Sequence, residues 1–165
     1  MKNRHFRTFL RDGYSMTFAF VFPGQGSQVV GMGQELAAAF PTAAEVFEIV
    51  DDTLGENLTK VMFEGPEDIL KLTRNAQPAL MAVSMAVLRV LEDEGGFDIG
   101  SKVKYVAGHS LGEYSALAAA RTFSISDTAK LLKIRGHSMQ EAVPVGEGAM
   151  AALLGLDINL ASKIA

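Results

Sequence analysis

An α/β fold built on a parallel sheet is what this sequence predicts, and three stretches carry the prediction. Thr17-Phe18-Ala19-Phe20-Val21-Phe22 is a continuous apolar run of strand length that stops at Pro23-Gly24. It shows no polar alternation, the pattern of a strand in a parallel sheet buried on both faces. Residues 102–107 form a second β-prone run, and residues 111–120 after it are strong helix formers. Between these two stands Gly108-His109-Ser110-Leu111-Gly112. A Gly-x-Ser-x-Gly between strand and helix predicts a nucleophile elbow, a turn so tight that the flanking glycine positions must lack side chains. The serine hydroxyl then stands at a helix N-terminus, where free N–H groups favour developing negative charge. The competing reading is a plain βα turn in which Ser110 caps the helix.

Composition narrows the classes. The chain has 165 residues, 48% of them hydrophobic and 21% charged, as in an ordinary globular protein. A net charge of −4 gives no reason to expect nucleic acid or an anionic membrane surface as partner. Without cysteine there is no disulfide framework, thiol nucleophile or thiolate metal site, and a reducing cytoplasm fits. Only His5, His109 and His137 are available as imidazoles, so no metal site is expected. The longest apolar stretch, residues 78–91, falls short of the ~20 residues that span a bilayer and reads as a core helix.

In chain order, residues 1–15 are polar and basic, with neither an apolar h-region nor a cleavage site, and read as a disordered extension before Met16. After the first strand, Pro23-Gly24-Gln25-Gly26-Ser27-Gln28 forms a loop whose backbone N–H groups can approach a ligand closely. Helical segments are expected over residues 33–40, closed by Pro41, and over 42–54, opened by the capping-box spacing Thr42-Ala43-Ala44-Glu45 and stopped at Gly55. Shorter ones cover 58–63 and 66–72, and a long one covers 77–94, apolar around most of its girth. Ser124-Ile125-Ser126-Asp127 caps the next helix. Residues 144–148 make a Gly/Pro-rich break, 149–154 a further strand, and Asp157 caps a last helix that runs to Ala165. A pattern stopping mid-helix reads as a truncated second unit.

For acyl transfer, Ser110 supplies a nucleophile, and the N–H of Leu111 with one from the Gly24-Gln25-Gly26 loop could hold an oxyanion. Arg135 is either a solvated helical cation or a fork for a substrate carboxylate. No base is evident. His109 adjoins Ser110 on a turn that splays neighbours apart, and His137, two residues past Arg135, points about 200° away around the helix.

Five ordered blocks then carry a resemblance: Phe22-Pro23-Gly24-Gln25-Gly26-Ser27-Gln28, Gln77-Pro78-Ala79-Leu80, Gly108-His109-Ser110-Leu111-Gly112-Glu113-Tyr114, Arg135-Gly136 with residues 139–144, and Gly148-Ala149-Met150-Ala151-Ala152. From Met16 to Ala165 the chain resembles the malonyl-CoA:acyl carrier protein transacylases of fatty-acid synthesis. The resemblance implies an α/β-hydrolase-like large subdomain, here partial over residues 16–143. Residues 144–165 would be a linker and the first strand and helix of an inserted ferredoxin-like small subdomain. It implies ping-pong transfer through a malonyl-serine on Ser110, with the oxyanion held by the N–H groups of Gln25 and Leu111. Arg135 would grip the malonyl carboxylate, with Gln77 and Met139 near the pocket, and Leu111 after the serine goes with malonyl rather than branched groups. Malonyl-CoA and acyl carrier protein would be the partners, with no cofactor beyond the coenzyme A thioester as substrate. The family's catalytic histidine falls beyond Ala165, so this looks like an N-terminal half. A serine esterase shares the elbow but needs neither Arg135 nor the Gly-Gln-Gly-Ser-Gln loop, and a non-catalytic remnant is the third reading.

Overall fold

The computed structural model describes residues 18–144, 146–148, 153–155 and 157–164. Its centre is a parallel pair of strands, β1 (Phe18–Phe22) and β2 (Val103–Gly108), with Phe20 opposite Val106 and Phe22 opposite Gly108. Parallel pairing requires a long crossover. Here it is made by α1 (Gln34–Ala39), α2 (Pro41–Leu54), α3 (Leu58–Glu64), α4 (Glu67–Lys71), α5 (Thr73–Asp93) and α6 (Ile99–Lys102). After β2 come α7 (Gly112–Ala119), α8 (Ile125–Ala142) and α9 (Ile158–Ile164). The expected strand at 149–154 lies largely outside the described residues, as do residues 1–15.

The core lies among the helices and against one face of the sheet. Phe47, Val46 and Val50 of α2 meet Met81, Met85 and Leu88 of α5 and Leu132 of α8, all almost fully buried. α5 runs through the middle of this layer. Residues 75–82 are buried all round it, whereas Val87 and Leu91 towards its end reach the surface.

Local signals set most boundaries. Gly55 ends α2 with a φ of 63°, and Ser124 caps α8 by accepting from the Asp127 N–H at 3.0 Å. Asp157 caps α9 through the Asn159 N–H at 2.8 Å. Arg121 has a φ of 62°, and the bonds Arg121 N–H to Ala118 O and Thr122 N–H to Leu117 O complete a Schellman cap of α7. Its guanidinium donates to both Glu92 carboxylate oxygens at 2.6 Å, tying that cap to α5.

Four expectations change. Pro41 opens α2 at its first position rather than closing α1, since its missing N–H would be unpaired there in any case. Thr42 is therefore inside the helix, its hydroxyl buried without a partner among the described residues, and there is no capping box. α5 begins at Thr73 and passes through Pro78, which loses only the one ladder bond to Arg74 O early in a long, well-packed helix. Among the described residues only one face of the sheet is covered: Phe20 and Phe22 face the helices, while Val21 is 75% and Tyr105 64% exposed on the other side.

The cap of α7 yields a stability test. Arg121→Ala and Arg121→Gly both remove the ion pair to Glu92, so the difference between them isolates the left-handed backbone. The glycine variant should unfold about 1 kcal/mol later than the alanine variant in urea titration. Equal midpoints would show that the cap carries no strain.

Candidate active site

β2 ends at Gly108 and α7 begins at Gly112, so the chain reverses over three residues. Ser110 is driven to a φ of 57°, a left-handed conformation that is costly for any residue with a Cβ. Packing enforces it. A Cβ on Gly108 would overlap the Gly112 carbonyl, and one on Gly112 would overlap the Phe22 carbonyl. The Gly112 N–H bonds His109 O at 2.9 Å and the Glu113 N–H bonds Ser110 O at 3.1 Å, closing the turn. Ser110 does not cap the helix: Leu111 holds the N-cap position and makes no side-chain cap bond. The hydroxyl is left to face the site.

The loop after β1 abuts the same turn. The His109 N–H bonds Phe22 O at 3.1 Å, and Gly24 lies so close to the His109 ring that a Cβ there would meet Nδ1. Beyond it, the Gly26 N–H donates to Gln28 Oε1 at 2.8 Å, while Gln25 Nε2 donates to Thr73 Oγ1 at 3.3 Å. The second contact fastens the loop to the first residue of α5.

α8 brings in the charge. Arg135 Nη2 donates to Ser110 Oγ at 3.0 Å, and its Nη1 donates to Gln77 Oε1 at 2.7 Å. Gln77 is only 1% exposed, and its Nε2 donates on to Met139 Sδ at 3.3 Å, so both ends of a buried amide are satisfied. The Arg135 guanidinium carbon stands 5.8 Å from the centre of the Tyr114 ring, within cation–π range. Arg135 reaches this position because Gly136 lets α8 close on α5. A Cβ at 136 would sit 2.7 Å from both Arg74 Cα and Thr73 O.

Of the residues singled out from sequence, Ser110, Arg135, Gln77 and Met139 thus form one hydrogen-bonded chain, and Gln25 lies in the loop that flanks the turn. Among the described residues, the two imidazoles take no part in this chain. His137 pairs with Glu141 at 3.2 Å and lines a different cleft, with Arg74 and Lys133, while His109 is exposed. Among the described residues no group of His, Cys, Asp or Glu side chains could hold a metal ion. Beside Met139 opens a cavity of about 780 Å³ lined by Leu72, Thr73, Val143, Pro144 and Gly148, of ligand size. Sequence reasoning gave Tyr114, Thr73 and Gly136 no part. Tyr114 and Gly136 lie inside the quoted blocks, but only the three-dimensional crossing reveals what they touch.

The serine of a strained strand-to-helix elbow thus lies one hydrogen bond from a fixed guanidinium. The chain belongs to the acyl transferase domain family, which matches residues 19–163. It is 48% identical over 146 residues to the malonyl CoA-acyl carrier protein transacylase of Bacillus subtilis (strain 168), covering 88% of this chain and 44% of that protein. Among solved structures, the acyl-carrier-protein-S-malonyltransferase of Bartonella henselae superposes with a TM-score of 0.84 at 63% identity, over 90% of this chain and 47% of that one. A malonyl-transacylase in complex with a type II PKS acyl-carrier protein superposes with a TM-score of 0.78 at 46% identity, over 87% and 45%. The chain therefore spans less than half the length of the relatives it matches. No helix among the described residues is long and apolar enough to cross a membrane.

The α5–α8 crossing generates the test for this site. Gly136→Ala must push α8 off α5, and overpacking of this kind costs about 1–3 kcal/mol. Thermal melts should show that loss, together with loosening of the Arg135–Gln77 bond visible in a crystal structure of the variant. An unchanged melting temperature would mean that the helices do not meet at Gly136.

Proposed function

We propose that this chain is the serine-bearing half of a malonyl-CoA:acyl carrier protein transacylase, within a partial α/β-hydrolase-like subdomain over residues 16–143. Residues 144–165 would then open a ferredoxin-like insert. The observation that carries the reading is Arg135 held at once on Ser110 and on buried Gln77. A simple esterase has no use for a cation there. Burying a malonyl carboxylate without one would be costly, so a preset guanidinium is a selective feature.

In this reading Ser110 Oγ attacks the thioester carbonyl of malonyl-CoA, and the tetrahedral oxyanion rests on the N–H groups of Leu111 and Gln25. The carbon–sulfur bond breaks, coenzyme A leaves as the thiol, and the hydroxyl proton passes through a base. Neither His109 nor His137 hydrogen-bonds the Ser110 hydroxyl, whose partner is Arg135, so that base is the histidine that the resemblance places further along the relatives' length. Arg135 holds the terminal carboxylate, with Gln77 and Met139 fixing the guanidinium. In the second half-reaction the phosphopantetheine thiol of the carrier protein attacks malonyl-Ser110 and frees the hydroxyl. Coenzyme A is a substrate carrier, not a resident cofactor, and the cytoplasm is the compartment that fits.

Two substitutions test this in the chain fused in frame to the second half of the Bacillus subtilis relative. Ser110→Ala should abolish covalent labelling by radioactive malonyl-CoA, and persistent labelling would remove Ser110 as nucleophile. Arg135→Ala should cut malonyl transfer on the order of a hundredfold, the effect of ~3 kcal/mol for a lost charge-assisted pair. Acetyl transfer should fall far less. Equal losses for the two acyl groups would refute a carboxylate-gripping role.

A further inference from the structure

We propose that Thr73 is a positioning residue for the oxyanion donor at Gln25: its hydroxyl holds the loop after β1 in register with Arg135. The inference rests on the transacylase reading for the role of the Gln25 N–H, and goes beyond it in naming what keeps that group in place.

The loop has little of its own to hold it. Residues 25–27 are exposed, and the flanking Gly24 and Gly26, the latter at a φ of 115°, give the backbone around Gln25 wide conformational freedom. On one side Gly24 rests against the His109 ring, and on the other the Gly26 N–H closes onto Gln28 Oε1 at 2.8 Å. Both contacts stay within the loop and the elbow. The bond from Gln25 Nε2 to Thr73 Oγ1 leaves them, and among the described residues it is the only hydrogen bond from residues 23–28 to a helix. The main-chain N–H of Gln25 finds no acceptor among those residues and stays available.

Thr73 links the loop to the rest of the site. It is the first residue of α5, and its own carbonyl lies against Gly136, the residue after Arg135. One residue therefore touches both the loop that presents the Gln25 N–H and the helix that presents the guanidinium. A malonyl group needs the two at once, because a single methylene separates its thioester carbonyl from its carboxylate. An oxyanion donor acts only over a narrow range of distance, and a misplacement of about 1 Å forfeits much of its effect. The tether is a neutral bond of 3.3 Å at an exposed side chain, so its loss loosens the loop without unfolding the chain.

Three substitutions isolate the tether. Thr73→Val removes the acceptor and keeps the shape, Thr73→Ser keeps the acceptor, and Gln25→Met removes the side-chain donor but not the backbone N–H. In the chain fused to the second half of the Bacillus subtilis relative, acylation of Ser110 by malonyl-CoA is followed in a single turnover. Thr73→Val should lower the maximal rate about fivefold, the worth of one neutral hydrogen bond, and leave the half-saturating concentration unchanged. Thr73→Ser should restore the rate, and adding Gln25→Met to Thr73→Val should cost nothing further. In the unfused chain, NMR order parameters of the Gln25 and Gly26 backbone should fall in Thr73→Val and recover in Thr73→Ser. The proposal is overturned by an unchanged maximal rate, by a rise in half-saturating concentration alone, by a serine variant as slow as the valine one, by additive losses, or by unchanged order parameters. If the fused enzyme with Thr73 and Gln25 intact forms no acyl-serine, the transacylase reading falls instead, and the order parameters alone decide whether Thr73 holds the loop.

Discussion

The near-contact of Gly108 with Gly112 is the constraint on which this structure depends. With no room for a Cβ at either position, the end of β2, the carbonyl of Phe22 and the first turn of α7 close to backbone contact. That closeness forces Ser110 to its positive φ and turns its side chain away from both the helix and the sheet. The strain is local, of order 1–3 kcal/mol, and persists because strand ladder and helix packing over-determine the turn. Shape comes first here, and reactivity follows from where the shape leaves the hydroxyl.

A second convergence adds charge to that shape. α5 and α8 are remote in sequence, yet they cross where Gly136 meets the Arg74 backbone, and this brings Gln77 and Arg135 within 2.7 Å. A surface arginine on a helix usually contributes little, being well solvated and conformationally loose. Arg135 differs because it is held by the Gln77 amide, the Tyr114 ring and the Ser110 hydroxyl together. Its position is a property of the helix pair rather than of the residue.

Legibility followed the range of the physics involved. The elbow, both strands, the Gly55 stop and the Ser124 and Asp157 caps were all visible, because each depends on neighbours within a few residues. The reading of Pro41 and Thr42 failed over a single residue: both carry helix-start chemistry, and only packing decides which one opens the helix. The start of α5 lies at Thr73 rather than at residue 77, and a long helix buried all round tolerates the one bond that Pro78 removes. The pairing of Arg135 with Gln77 could not come from periodicity, since it depends on a crossing between helices 58 residues apart at that contact.

Gly136 has an evolutionary consequence. It governs the stability of the α5–α8 pair and the placement of the side chain that would distinguish one acyl group from another. Contacting residues do not contribute additively, so neither property can drift at this position without carrying the other along. Positions 135 and 136 would then behave as a single inherited unit, one setting the reach and the other supplying the charge.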